Sequence, residues 1–553
     1  MKNILLICIK FTLVKLIFRF IFLSTSILLL FNCAKTGNPE GGPKDEDAPI
    51  FVTADPPYEN TNFDEKEIRL NFDEYIKLKD LTKQLIVSPP LKTPLVVTPQ
   101  STASKFLKLS ILDTLQENTT YIINFGNAIE DNNEGNKLES FKYVFSTGSY
   151  IDSLKSTGSV KDAYLDEKPK NTSVLLYKID SSFNDSIVFK NKPNYVTNTL
   201  DTTIFNLTNL KQGKYLMIAL KETNSDYLFN PKEDKIGFYP DTISLPKDSI
   251  IKNPITIFKE TTPYKFKRAY EISKGKIAFG YEGEQPKDLK VEITSNTPKD
   301  FKSISKFEID KDSLNYWYTP FEADSLNFIV TNKEFIDTIT VKLRKKKIDT
   351  LILKPTISST LHFRDTFFIN ASNPIVKIDT SKISLIDKDT LAVPFSSFLS
   401  KKENKIGFIF DKKQKNKYHL KILPESISDI YNYKNDTLNF KFSTSEIEDY
   451  GRITIDINNK MGENLIIELL EGKDKNNLIN RKFVTNSEQI VYDLLEPKTY
   501  YIRAIVDVNK NNKWDTGNYL LKRQPEKIIY FPQELKVRAN SYYDGNIFTI
   551  KKE

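Results

Sequence analysis

From Ala48 to the C-terminus the chain is patterned in short runs in which apolar and polar residues alternate. Such runs stand at 68–72 (IRLNF), 173–179 (SVLLYKI), 338–343 (TITVKL), 451–457 (GRITIDI) and 500–508 (YYIRAIVDV). A period of two places every second side chain on one face, which is how a strand buries one side and wets the other. The runs are bounded by Asn, Asp, Lys, Gly and Pro at intervals of about ten residues, the spacing of β-sandwiches rather than of parallel α/β units. Almost no stretch keeps a helical spacing of apolar residues over three turns. The pattern predicts an all-β fold.

Two internal repeats organise the runs. Segments 121–125, 129–131 and 141–147 align, about 297 residues later, with 418–422, 427–429 and 438–444. Each set reads as a strand, a loop around Asp131 or Asp429, and a closing strand ending in Phe-Ser-Thr. Behind each comes a second pairing, 213–219 with 497–504. The order is therefore A, B, an unpaired module C, then A′ and B′. The expected boundaries are 48–149 (A), 150–258 (B), 259–355 (C), 356–446 (A′) and 447–553 (B′), strung one after another in file. Module C carries no recognisable motif.

The first thirty-two residues are different. They hold Lys2, Lys10, Lys15 and Arg19, no acid, and an apolar run from Ile21 to Leu30 that leads into Phe31, Asn32 and Cys33. This is a secretory signal, to be set aside in reasoning about the fold. Leu30 three residues before Cys33 resembles the lipobox of bacterial lipoproteins, although Asn32 departs from the usual small residue before the Cys. The resemblance implies that Cys33 is acylated with palmitate and becomes the mature N-terminus. A plain membrane anchor is the competing account, and 17–31, interrupted by Arg19, is short of the ~20 residues a span needs. Residues 33–47, rich in Gly, Pro and charge, read as a flexible tether. Asp45, Glu46 and Asp47 are similar to an acidic surface-export signal but stand late for one.

Removing the signal takes away four cations. Lys and Arg fall from 80 to 76 against 72 Asp and Glu, so the basic balance of the whole chain is half targeting. A near-balanced surface offers no footprint for nucleic acid, and the run Arg344 to Lys347 reads as a solvated strand end. Otherwise the composition is that of an ordinary folded chain, 39% hydrophobic and 27% charged. Two His and two Cys remove much catalytic chemistry. His362 and His419 cannot build a His-rich zinc site, and Cys8 leaves with the signal, so no disulfide remains.

In module A the residues Asp47 to Pro49, Asp55 to Pro57, Phe72-Asp73-Glu74, Ser88 to Pro90 and Thr119 to Tyr121, closing in Phe145-Ser146-Thr147, resemble the bacterial immunoglobulin-like domain first described in surface-layer proteins. The likeness covers 48–148 and, without the Phe-Asp-Glu motif, 356–446. Modules B and B′ resemble prealbumin-like, carboxypeptidase-regulatory sandwiches. Both resemblances imply binding or spacer modules without catalysis of their own, in a lipoprotein of Gram-negative bacteria.

One constellation carries possible chemistry. Asp507, Asn509, Asn511 and Asp515 place oxygen side chains at positions 1, 3, 5 and 9 of a loop, and the carbonyl of Lys513 falls at position 7. Hard cations such as calcium take six to eight oxygens from loops of this spacing. Asn512 stands where such loops carry Gly, and position 12 is Asn518 rather than a bidentate Glu. The aligned loop in B holds Glu222, Asn224, Asp226, Leu228, Asn230 and Glu233. The competing account is a hairpin of Asx-turns stapled by Phe229 or Trp514.

A second signal is Asp-Ser/Thr followed by an apolar residue or Thr. Its hydroxyls are Thr114, Ser153, Ser186, Thr202, Thr242, Ser249, Ser313, Ser325, Thr338, Thr350, Thr390 and Thr437. The triplet resembles an O-glycosylation sequon of exported proteins. It is equally what a turn followed by a strand would leave. The paired carboxylates Asp73-Glu74, Glu130-Asp131 and Glu233-Asp234 do not converge by themselves, since neighbours on a strand face opposite ways. No G-x-S-x-G, Walker loop, G-x-G-x-x-G or H-E-x-x-H is present. The sequence therefore points to a non-enzymatic, lipid-anchored scaffold or binding subunit at the outer membrane, partnered by an outer-membrane or cell-envelope protein. Capture of a surface glycan or polymer is the alternative, and a hydrolase is the least favoured class.

Overall fold

The computed structural model describes residues 45–552 except 287, 310, 333 and 334. The expected signal, Cys33 and most of the expected tether lie outside the described residues. Among the described residues nearly every ordered segment is a strand, and the longest α-helix is the single turn Leu81–Gln84. All five runs singled out above fall in strands: Glu67–Leu78, Ser173–Lys178, Phe335–Lys342, Gly451–Asn459 and Thr499–Asp507. None of the helices of the described residues is long and apolar enough to cross a membrane.

The strands pair into sheets that face one another over apolar clusters, giving sandwiches numbered here one to five along the chain. In the first, Phe51–Asp55, Glu67–Leu78, Ser104–Ser110 and Val96–Thr98 form one sheet, with Ile129–Asp131 on the far half of the long strand. Ile86–Ser88, Thr120–Gly126 and Phe141–Ser146 form the other. Phe63, Leu70, Phe125, Tyr143 and Phe145 fill the space between them.

The fourth sandwich repeats this order. Leu353–Pro355, Phe367–Ala371, Lys405–Phe410 and Phe395–Leu399 lie opposite Ile383–Ile386, Lys417–Ile422 and Leu438–Ser443. Its edge strand thus starts before position 356. The long strand of the first sandwich is broken here into Phe367–Ala371 and Ile375–Ile378, and Pro374, which has no N–H to give the ladder, sits in the break. Both sandwiches tie a loop to the same Asp. Asp131 accepts the N–H groups of Asn133, Glu134 and Asn136, and Asp429 those of Tyr431 and Tyr433.

The second and fifth sandwiches share another order. In the second, Leu154–Asp162 is the middle of a three-stranded sheet between Ile204–Leu210 and the parallel strand Ile255–Ile257. It faces Tyr195–Asn198, Ser173–Lys178, Gly213–Lys221 and Lys235–Phe238. In the fifth, Gly451–Asn459 lies between Glu488–Leu495 and the parallel strand Tyr542–Ile550, facing Asn477–Val484, Asn464–Glu471, Thr499–Asp507 and Ile528–Tyr530. The third sandwich, 265–342, packs Lys265–Ser273, Lys276–Glu282, Ser313–Tyr318 and Ser303–Phe307 on Lys290–Ile293, Ser325–Asn332 and Phe335–Lys342.

The file expected from the sequence is not what the chain forms. Successive sandwiches touch, as where Tyr431 donates its hydroxyl hydrogen to the carbonyl of Gly275 (2.8 Å) and a ring nitrogen of His362 meets the carbonyl of Leu494 (2.8 Å). The fifth then turns back onto the second, across the nearly two hundred residues of the third and fourth. Tyr519 of the fifth is fully buried in the second, in the cluster of Leu175, Tyr177, Ile218, Phe238 and Phe258. The second to fifth sandwiches are therefore closed into a ring. Sequence periodicity reports which face of a strand is buried, but not what buries it.

Candidate functional site

The two oxygen-rich loops leave equivalent strands. Tyr215 and Tyr500 anchor those strands alike, each donating its hydroxyl hydrogen to the carbonyl four residues earlier, Lys211 or Glu496 (both 3.0 Å). From that pairing Glu222 corresponds to Asp507, Asn224 to Asn509, Asp226 to Asn511, Leu228 to Lys513, Asn230 to Asp515 and Glu233 to Asn518.

In the fifth sandwich Asp507, 1% exposed, ends the strand and accepts the N–H groups of Asn511 (3.0 Å) and Asn512 (2.9 Å). Asn509 Oδ1 accepts from Asn511 N–H and Asn511 Oδ1 from Lys513 N–H. The side-chain amides of Asn509 and Asn511 both donate to Asp515 Oδ2. Asn512, in the position usually given to Gly, takes φ 63°, in the left-handed region that Asn tolerates. Glu526, which sequence spacing did not single out, closes the loop by accepting the N–H groups of Val508 (2.9 Å) and Asp515 (3.0 Å). Burial, with Asp515 and Asp507 nearby, pushes the Glu526 carboxyl up, against the N–H groups it accepts.

In the second sandwich Glu222 accepts the N–H of Tyr227 (2.8 Å) and Asp226 that of Leu228 (2.9 Å). The Asn224 amide reaches Glu233 (3.4 Å), and Asn230 Oδ1 accepts the N–H of Lys232 (3.2 Å). Burial pushes the Glu222 carboxyl up to about 7, and one of its oxygens has no hydrogen-bond partner among the described residues.

These are the bonds of Asx-turns. Most of the carboxylate and amide oxygens accept loop N–H groups, one Glu222 oxygen excepted, and two amides present nitrogen rather than oxygen to Asp515. Among the described residues, no group of three or more His, Cys, Asp or Glu could hold a metal ion. In this conformation the loops are tied by the Asx-turn bonds of the competing account. The carboxylate pairs are likewise engaged with the backbone, Asp73 accepting the N–H of Ile50 (2.8 Å) and Asp234 that of Asn230 (2.8 Å).

The fifth-sandwich loop holds a clasp instead. The Trp514 ring lies 4.8 Å from that of Tyr164, and Thr516 donates to the carbonyl of Lys259 (2.6 Å). Tyr519 donates its N–H to Glu260 (2.5 Å) and its hydroxyl hydrogen to the carbonyl of Asp185 (3.0 Å). Gly517 lies against the Phe258 ring so closely that a Cβ there would come within 2.5 Å of it. Lys522 completes the contact by pairing with Asp185.

Beside the clasp is a charged cluster that alternation concealed. Glu468, fully buried, receives Arg481 on one side and Arg503 on the other, and Arg503 is 2% exposed. Arg503 also donates to the Tyr164 hydroxyl (2.7 Å), and its guanidinium stacks 4.3 Å from that ring. Arg503 stands alone in a run of apolar residues. The two signals that could have found the clasp are that charge and the aperiodic stretch 517–521.

None of the twelve sequon hydroxyls is buried. Thr114, Ser153, Thr202, Thr242, Ser325, Thr338, Thr350, Thr390 and Thr437 are exposed, while Ser186, Ser249 and Ser313 are half-buried. Several sit where a strand opens: Ser313 and Ser325 begin strands, and Leu154, Ile243 and Leu438 begin them one residue after the hydroxyl.

Residues 45–147 match the family of bacterial Ig-like domains. Structures similar to the chain include domains 1–6 of the surface layer protein SbsC (11% identity, covering 89% of this chain and 67% of that one, TM-score 0.16). Others are a three-domain segment of Escherichia coli alpha-2-macroglobulin (10%, 33% and 89%, TM-score 0.17) and the I9–I11 tandem of titin (8%, 52% and 100%, TM-score 0.12). No curated protein matches the chain. The chain thus carries a bacterial Ig-like domain at its first sandwich, which speaks for a cell-surface or binding role. Domains of this kind are typically non-enzymatic scaffolds.

Proposed function

We propose that the protein is a lipid-anchored, non-enzymatic scaffold of the outer membrane, held by acylated Cys33 and presenting a ring of sandwiches to an outer-membrane or cell-envelope protein. The observation that supports it is the clasp, in which Tyr519 of the fifth sandwich is seated in the second. A chain of loosely strung spacers has no need to lock distant modules, whereas a subunit that positions a partner does. Glycans on the exposed sequon hydroxyls would keep the outer surface soluble. A mass shift of the native protein would reveal them.

Native purification from detergent-solubilised membranes tests the reading. A stable complex with a membrane barrel protein is expected, together with loss of membrane attachment on Cys33→Ala. A monomer retained by a polysaccharide column would favour polymer capture instead. That second reading has one specific support, an apolar face on the fourth sandwich where the Phe368 and Phe398 rings meet edge to face (5.9 Å) over Gly407, beside the exposed Ile409.

A further inference from the structure

The third sandwich is itself balanced in charge, and the chain that follows it, 343–355, brings a positive surplus with Arg344, Lys345, Lys346, Lys347 and Lys354 against Asp349. Residues 259–355 carry nineteen Lys and Arg against fifteen Asp and Glu, a surplus of four that equals the whole surplus after residue 32. Part of it is gathered in one place. Lys265–Ser273 is the edge of one sheet and Phe335–Lys342 the edge of the other. Between them, and bounded by the chain that follows, runs a groove of about 380 Å³ lined by Arg268, Tyr270, Glu271, Lys342, Arg344 and Lys346, among others.

Two of these cations are held in place. Lys346 donates its ammonium hydrogens to the carbonyls of Glu271 (2.6 Å) and Ile272 (3.0 Å). The Arg268 guanidinium lies 5.0 Å from the centre of the Tyr270 ring. Glu271, the only acid in the lining, is 6% exposed and accepts the Arg344 N–H (2.8 Å). Arg268, Lys342 and Arg344 form no ion pair among the described residues. Like charges gathered without carboxylate partners repel one another, and an anion that enters relieves that repulsion.

We propose that this groove binds a phosphate-bearing ligand. Two guanidinium forks match the oxygens of a phosphate group geometrically, while the ammonium groups add point charge. The same chemistry is offered by a phosphorylated lipid headgroup and by a soluble phosphate compound. The site stands whether or not Cys33 is acylated, so its failure would leave the scaffold reading untouched.

The test is calorimetric titration of the folded chain with two probes, inorganic pyrophosphate and a short-chain phosphatidic acid below its micelle concentration. Saturable binding of at least one is expected, and the tighter probe identifies the source. Arg268→Ala with Arg344→Ala should weaken it about tenfold or more, whereas Lys345→Ala with Lys347→Ala, which removes equal charge outside the groove lining, should leave it nearly unchanged. If the first pair unfolds the sandwich, Arg268→Ala with Lys342→Ala changes only exposed side chains and should give the same loss. No saturable binding of either probe, or equal losses from groove and control pairs, overturns the proposal.

Discussion

The second and fifth sandwiches have the same strand order and the same tyrosine anchor, yet they treat one outward row of side chains in opposite ways. In the second, Val196, Leu175 and Ile218 stand side by side on three neighbouring strands, all buried. In the fifth the matching positions are Arg481, Glu468 and Arg503. The apolar row is covered from outside by Ile86 of the first sandwich and by Val188, Phe229 and Tyr519. The charged row is covered by Tyr164 and Tyr530, and its Arg481 side chain stays 39% exposed. Apolar surface accepts any well-shaped neighbour. A buried Arg–Glu–Arg row accepts only a neighbour that completes its hydrogen bonds, so one repeat supplies adhesion and the other supplies register.

That division can be broken most severely at Glu468. Glu468→Ala should cost about 3–5 kcal/mol in chemical denaturation, because it leaves Arg503 buried without its carboxylate. Converting the whole row with Arg481→Val, Glu468→Leu and Arg503→Ile should recover most of that loss while weakening the junction at Tyr164. If the single and triple variants are equally unstable, the row is not a unit.

Tyr519→Ala should cost about 3 kcal/mol and enlarge the radius of gyration measured by X-ray scattering, since the ring opens without any sandwich unfolding. An unchanged radius would mean that the charged row alone keeps it shut. Gly517→Ala acts on the same contact from the other side and should cost about 1–3 kcal/mol through overpacking on Phe258.

Acid distinguishes the two loops. The Glu222 carboxyl is raised from its ordinary 4.5 to about 7 chiefly by burial. Its contribution to stability is full below the unfolded value and is lost as pH rises through about 7. Glu222→Gln should therefore flatten the pH dependence of the melting temperature between 5 and 8, gaining roughly 1–2 kcal/mol at the alkaline end. The smallest expected effect is that of calcium or of a chelator, which should leave the melting temperature where it is. A rise of several degrees with calcium would restore the metal reading of the loops.

Alternation made the strands legible, because one face of each is buried within its own sandwich. Ile453, Ile455 and Ile457 alternate in sequence and line one core. The repeats made the equivalent strands legible as well, since Tyr215 and Tyr500 mark the same corner. What alternation could not carry is contact made by outward faces. Leu175 and Ile218 fall in runs apolar on both sides, which reads simply as a buried strand, and Glu468 breaks such a run without showing that Arg503 lies opposite. The candidate loops were found for their oxygens, and Asn512 does adopt the left-handed turn its position required. Their bonds, however, order the chain leading to Tyr519. A lone Tyr in an aperiodic stretch gives no period from which its burial could be read.

The parallel closing strand has a mechanical consequence. Gly451–Asn459 and Tyr542–Ile550, the first and last strands of the fifth sandwich, run side by side in one direction over seven paired positions. The chain therefore enters at one end of the sandwich and leaves at the other. Tension applied through the two ends pulls these strands past each other, loading their hydrogen bonds together in shear rather than peeling them one at a time. In the second sandwich the parallel pairing is shorter and interrupted, with Ile255, Thr256 and Ile257 against Val160, Lys161 and Asp162 and a separate bridge of Ile250 with Thr157. Under load the second sandwich is therefore expected to yield before the fifth, and Tyr519 is seated on its face.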